Sequence, residues 1–179
     1  MDNSTTTSDV GPLEVDVTKY PNAQKLLSRC QDFLNEVENL CACPTLLLPF
    51  LTPSSNDLRS TPGHALETHL NTAYGPGTPI YEDFCALTLR GLNEGWIANI
   101  EIDGRKYRRS KVALPKPSTR FMSITTVYMS SEEEYSGQYH SHPYGEINCV
   151  VQIDKSAELK GMQGWQKAGW TSPGPGTHQ

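Results

Sequence analysis

The most informative stretch of this sequence runs from Gly137 to Glu146 and reads GQYHSHPYGE. His140 and His142 are two residues apart, so a β-strand would present both imidazoles on the same face. The Pro-Tyr-Gly that follows His142 is typical of a chain reversal, after which Glu146 would begin the returning strand. Two imidazoles and a carboxylate that meet in this way suit a divalent transition metal with open coordination positions.

A second histidine-bearing turn lies at residues 169–178, which read GWTSPGPGTH. Its Pro/Gly run predicts a tight turn that brings His178 toward the first cluster. We therefore predict metal ligation by His140, His142, Glu146 and His178, with Glu146 also available as a general acid or base. The metal stays open among Fe, Mn, Ni and Zn. The alternatives are an ordinary edge strand with polar side chains outward and, for His178, a frayed chain end.

A basic strand could supply the contact to a substrate. Arg108 and Arg109 lie among further lysines and arginines at residues 105–111. One of the two guanidinium groups could face a pocket and bind a substrate carboxylate in a bidentate manner, although a solvated strand face is the alternative. Tyr139 and Tyr144 flank the proposed ligands, so we predict that one of them stacks on an aromatic substrate.

Composition excludes several function classes. The 179 residues carry 15 Lys and Arg against 20 Asp and Glu, a formal charge of −5, which argues against a nucleic-acid binder. The sequence contains no run of about 18 apolar residues, so it predicts no membrane helix. The amino terminus lacks the pattern of a signal peptide, and the five cysteines are scattered, so we expect a cytoplasmic protein with reduced thiols.

The spacing of apolar residues divides the chain into three parts. Residues 1–19 are rich in Ser, Thr and Asp and predict a disordered tail. Residues 20–95 predict a helical segment, with helices at 21 to about 41–43, 62–74 and 79 to 91 or 95, and a proline-rich loop at 44–63. Residues 96–179 predict short antiparallel strands, including a hairpin at Asp103-Gly104.

The His-x-His-x-x-x-Glu pattern followed by a Pro-Gly turn and a histidine resembles the signature of the cupin superfamily. The resemblance implies an α+β chain in which the helical segment precedes a cupin-like antiparallel β-barrel, a jelly roll. It also implies that His140, His142, Glu146 and His178 are the ligands. Because the chain stops at Gln179, one residue after the last of these, we expect a barrel that is truncated at the carboxyl terminus.

A narrower resemblance rests on several motifs spread over residues 62–178. They are YGPGTP at 74–79, GW at 95–96, YRRS at 107–110, GQYHSHPYGEIN at 137–148, and ELKG, GW and GW between 158 and 170. Together they resemble the 4-hydroxylaminobenzoate lyase family. The resemblance implies conversion of 4-hydroxylaminobenzoate to protocatechuate and ammonia in nitroaromatic degradation, without net redox change, and a possible homodimer. The alternatives are another metal-dependent cupin enzyme of aromatic acids, a dioxygenase or isomerase, and a non-catalytic binder of small ligands.

Overall fold

A computed structural model of the protein describes residues 14–37 and 61–178. In these ranges the helices are α1 (Pro21–Glu36), α2 (His64–Tyr74) and α3 (Pro79–Glu94). The first strands are β1 (Ile100–Asp103), β2 (Tyr107–Ala113), β3 (Ile124–Met129), β4 (Ser141–His142) and β5 (Asn148–Val150). The later strands are β6 (Leu159–Gly161), β7 (Gly164–Gln166), β8 (Gly169–Thr171) and β9 (Thr177–His178).

All three predicted helices are present, and α3 has the caps that the sequence predicts. In α3 the Thr78 hydroxyl accepts a hydrogen bond from the Tyr81 N–H at 3.4 Å, and Gly95 ends the helix in the left-handed conformation at φ 78°. The predicted end of α1 near residues 41–43 is wrong. Val37 already leaves the helical conformation at ψ 72° and buries its β-branched side chain in the core, so α1 ends one residue before it.

The described strands form four separate antiparallel sheets. β1, β2 and β3 make a three-stranded sheet, while β4 pairs with β9, β5 with β8, and β6 with β7. The chain is therefore α+β, as predicted, but the described strands do not close into a barrel. Every strand from β4 to β9 is only two or three residues long.

The β1–β2 hairpin differs from its prediction in two details. Asp103 pairs with Tyr107, so the loop contains three residues rather than two. The strand also begins later than Trp96, because Ala98 adopts a left-handed conformation at φ 47°. The Ala98 N–H donates to the Ser110 hydroxyl at 2.9 Å, which fixes this turn against β2.

The helices and the later strands share one core around Trp170. The indole stacks on Phe33 with ring centroids 4.8 Å apart and meets Phe84 edge-on at 5.9 Å. Its backbone N–H donates to the Asn71 side chain, whose amide donates in turn to the Trp170 carbonyl, both at 2.9 Å. The indole N–H donates to the Tyr74 carbonyl at 2.8 Å. The β8 strand is therefore attached to α2 through every polar atom of its tryptophan.

The folded region begins before the predicted boundary at residue 19. Val15 is buried in the core, and its N–H donates to the Lys111 carbonyl at 2.7 Å. A short 3₁₀ turn at Val17–Lys19 then leads into α1. The rest of the predicted tail, residues 1–13, and most of the predicted loop at 44–63 lie outside the described residues.

Candidate active site

Three of the predicted ligands come together beside β4. The imidazoles of His140 and His142 lie with ring centroids 4.7 Å apart, and the carboxylate of Glu146 reaches them after the Pro-Tyr-Gly turn. One ligand atom from each of the three side chains falls within 4.8 Å of the other two. The i, i+2 spacing and the reversal thus produce the convergence expected from the sequence.

The cluster is buried on one side and open on the other. His142 is 1% exposed, whereas the Glu146 side chain is 43% exposed and His140 lies at the surface. The Nε2 atom of His142 lies 3.6 Å from a Glu146 carboxylate oxygen and has no hydrogen-bond partner among the described residues. A buried ring nitrogen without a partner is costly, so the donor set fits a bound metal ion that occupies this position.

Close backbone packing holds the turn in place. Gly145 has a φ of 79°, and a side chain there would collide with the ring of Pro62. The His142 carbonyl accepts hydrogen bonds from the N–H groups of Gly145 at 3.3 Å and Gly176 at 2.8 Å. The Gly145 position therefore requires glycine for both its conformation and its space.

Helix α2 supports the backbone of Glu146 through Ser172, a residue that no sequence pattern singles out. The Ser172 hydroxyl donates to the Glu146 carbonyl at 3.0 Å, and the Glu146 N–H donates to the Pro173 carbonyl at 2.9 Å. The Ser172 N–H in turn donates at 2.9 Å to the buried carboxylate of Glu67. These contacts join residues 26 and 105 positions apart, so no local pattern could reveal them.

The structure does not bring His178 into the cluster. His178 lies directly opposite Ser141 in the β4–β9 ladder, and opposed residues present their side chains on the same face. That face is the reverse of the one that His142 occupies. The imidazole of His178 instead stacks on the ring of Tyr139, with centroids 5.6 Å apart and planes 10° from parallel.

The two arginines lie on opposite faces of β2. The Arg108 guanidinium lies 4.4 Å from the ring centroid of Tyr128, in an open cleft of about 390 Å³ that Glu101 and Lys106 also line. Arg109 shares its face with Tyr107, against which Gly137 packs. The segment that leads to His140 therefore packs at the Tyr107 end of the β2 face that Arg109 shares.

Both tyrosines near the cluster are accessible to a ligand. Tyr139 is 77% exposed and Tyr144 is 60% exposed. Tyr139 already has one ring face against His178, whereas Tyr144 lies in the turn between His142 and Glu146. Either ring can present an apolar surface to an aromatic molecule at the open side of the site.

Comparison with known proteins places the chain in a family. A family profile described as 4-hydroxylaminobenzoate lyase matches residues 55–179, which include the whole cluster and its supporting contacts. The chain belongs to the 4-hydroxylaminobenzoate lyase family. The family resemblance of the sequence motifs is therefore confirmed. No solved structure matches this member of the family.

Two curated relatives carry the same description. The 4-hydroxylaminobenzoate lyase of Nocardioides sp. (strain LMS-CY) is 49% identical over 136 residues, 75% of this chain and 80% of the relative. The 4-hydroxylaminobenzoate lyase of Pseudomonas putida is 46% identical over 120 residues, 63% of this chain and 68% of the relative. Within the described ranges, this member of the lyase family has no helix long and apolar enough to cross a membrane.

Proposed function

We propose that this chain is an enzyme that converts 4-hydroxylaminobenzoate to protocatechuate and ammonia. The observation that carries the proposal is the convergence of His140, His142 and Glu146 within 4.8 Å in a chain of this lyase family. The printed names of two relatives at 46% and 49% identity support the same reaction and substrate.

The overall reaction balances without an external oxidant or reductant. The N–O bond and the ring C–N bond break, and two C–O bonds form, at the carbon that carried nitrogen and at its neighbour. The nitrogen gains two electrons as it becomes ammonia, and the neighbouring ring carbon loses two. Two waters enter and one leaves, so the net consumption is a single water. The site must therefore supply protons to the leaving oxygen and remove them from incoming water.

We assign the binding of a divalent transition metal to His140, His142 and Glu146. The support is the buried Nε2 of His142, which lacks a partner among the described residues and points to the same place as the Glu146 carboxylate. A bound ion of this kind supplies Lewis acidity toward an oxygen and lowers the pKa of water. His178 is not part of this ligand set, since its imidazole stacks on Tyr139.

Glu146 is the group of the cluster best placed to move a proton. Its side chain is 43% exposed, so it can reach both the buried imidazole and a substrate at the open side. Where Glu146 is not tightly bound to the metal, it would accept a proton from water as a carboxylate and donate it to the departing hydroxylamino oxygen. Ser172 holds its backbone while the side chain remains accessible.

Arg109 is our candidate for the contact to the ring carboxylate. The Nε atoms of Arg108 and Arg109 are both buried without a partner in the described part of the chain, so the face of β2 decides between them. Arg109 shares its face with Tyr107, whose ring contacts Gly137 in the segment before His140. A guanidinium group binds a carboxylate through two parallel hydrogen bonds, which would orient the ring. Tyr139 and Tyr144 would stack on that ring, whereas Arg108 is occupied by Tyr128.

The short ladders are consistent with an open cupin-like barrel. Along the chain, β4 precedes the turn that carries Glu146 and β5 follows it, so the β4–β9 and β5–β8 pairs would form neighbouring walls of such a barrel. We also propose this jelly-roll arrangement, a homodimer and a cytoplasmic location. Sedimentation of the purified chain at several concentrations would show whether it pairs.

An anaerobic assay tests the proposed reaction. Purified protein is incubated with 4-hydroxylaminobenzoate, and ammonia and protocatechuate are measured together. We expect equal amounts of both products, a loss of about 10²–10⁴-fold in turnover in Glu146→Gln, and no loss in Glu133→Gln at an exposed turn. Products that appear only with oxygen would indicate a dioxygenase instead, and tight binding without either product would indicate a non-catalytic binder.

A further inference from the structure

Both histidines of the cluster are held through their Nδ1 atoms. The Nδ1 of His140 lies 2.8 Å from the Gln138 carbonyl oxygen. A carbonyl oxygen can only accept a hydrogen bond, so Nδ1 of His140 must carry the proton. The neutral ring then has its lone pair on Nε2, which is the form that binds a metal through that atom.

The Nδ1 atom of His142 has a hydroxyl group as its partner, and a hydroxyl group can either donate or accept a hydrogen bond. The Nδ1 of His142 lies 3.0 Å from Thr177 Oγ1, and the same oxygen lies 2.7 Å from the Gly174 carbonyl oxygen. Two oxygens at that separation require a proton between them, and Thr177 has only one hydroxyl proton. Thr177 therefore accepts from His142, which leaves the lone pair of His142 on Nε2.

The position and the restricted side chain of Thr177 suit it to hold His142 in this tautomer. It lies directly opposite His142 in the β4–β9 ladder, so the two side chains share a face. Its β-branched side chain has few rotamers, and its bond to Gly174 fixes the remaining rotation of the hydroxyl. Because His142 is 1% exposed, water cannot replace this contact easily.

We propose that Thr177 is a positioning residue that fixes the tautomer and orientation of His142, so that its buried Nε2 presents a lone pair toward Glu146. The inference rests on the proposed metal site of the lyase, but its first consequence exists without any metal. An outer hydrogen bond of this type commonly changes metal affinity by about 10–100-fold, because it fixes the ring and raises its basicity.

The tautomer itself is measurable in the metal-free full-length chain by ¹⁵N NMR of the histidine rings. We expect His142 in the Nδ1–H form in the wild type and in Thr177→Ser, which keeps the hydroxyl. Thr177→Val keeps the shape and removes the acceptor, so this preference should be lost. The matched control is Thr125→Val, on an exposed position of β3. An Nε2–H form in the wild type, or an unchanged tautomer in Thr177→Val, would overturn the inference.

Cobalt(II) binding gives a second readout that does not depend on turnover. We expect Thr177→Val to weaken binding by about 10–100-fold and Thr177→Ser to restore it. Equal affinity in the wild type and both variants would contradict the positioning role. A chain that shows the predicted tautomer and affinity changes but no ammonia release would keep this inference and refute the proposed reaction.

Discussion

Trp170 and His142 are almost equally buried, at 2% and 1% exposure, but they differ in how many of their polar atoms have hydrogen-bond partners. Every polar atom of Trp170 has a partner, from Asn71 or Tyr74. His142 has partners for its carbonyl and its Nδ1, yet its Nε2 has none among the described residues. An unsatisfied buried nitrogen costs about 1–3 kcal/mol, and this contrast is why we propose a metal site at His142 and a purely structural role for Trp170.

The largest expected effect is on turnover. His142→Gln keeps most of the side-chain volume and removes the imidazole, so we expect the rate of ammonia release to fall by about 10²–10⁴-fold. The free energy of unfolding should fall by no more than about 1–3 kcal/mol, because Gln fills a similar volume and the change removes the ring's hydrogen bond to Thr177. Steady-state kinetics and urea denaturation of the same preparation measure both. Full activity in this variant would remove His142 from the site.

A substitution of Trp170 should lower the stability of the fold rather than disable the site. Trp170→Ala empties the space between Phe33 and Phe84, and we expect a loss of about 3–5 kcal/mol in the free energy of unfolding. Trp165→Ala is the matched control, since that indole is 52% exposed and should cost far less. Equal denaturation midpoints for the two variants would show that the Trp170 cluster is not the core.

A smaller loss is expected where α2 holds β8. Asn71→Ala removes the partners of the Trp170 N–H and carbonyl groups, and we expect a cost of about 1–3 kcal/mol in unfolding. Asn93→Ala, at an exposed position of α3, serves as the control. Equal melting temperatures for the two alanine variants would show that Asn71 does not hold β8 against α2.

The smallest expected effect is a pH dependence of the free energy of unfolding that arises from the buried thiols of Cys30 and Cys149. Burial raises the pKa of the Cys30 thiol from 9.0 to about 12, and burial likewise raises that of Cys149. Below pH 9 both the folded and unfolded chains keep these protons, so stability is unaffected. Above pH 9 the unfolded chain loses them first, and the free energy of unfolding should fall by on the order of 1 kcal/mol per thiol by pH 9.5.

Urea denaturation at pH 8 and 9.5 measures this change. Cys30→Ala should show a smaller fall between the two pH values than the wild type, because one of the two thiols no longer titrates. The same fall in both proteins would show that Cys30 is ionised or exposed in the folded chain.

Sequence patterns predicted the features that depend on neighbouring residues. Thr78 and Gly95 bound α3 as expected, and the spacing of His140 and His142 led to their convergence. The face on which His178 lies depends on the register of the β4–β9 ladder, and a shift of one residue would reverse it. The sequence does not encode that register locally.

The residues that support His142 and Glu146 could not be predicted from the sequence for a related reason. Thr177 and Ser172 act on residues 35 and 26 positions away, so only the folded chain shows their roles. The choice between Arg108 and Arg109 likewise depends on which face of β2 the segment before His140 crosses. The sequence therefore indicates candidate side chains, whereas the contacts that orient them appear only in the folded chain.

The proposed metal site is tested most directly by a cobalt(II) titration of chelator-treated protein, followed by visible absorption. We expect a single saturable site in the wild type and in Trp165→Ala, and its loss in the double variant His140→Gln, His142→Gln. Retention of the wild-type stoichiometry and spectrum by the folded double variant would contradict the claim that the unpartnered Nε2 of His142 marks a metal site.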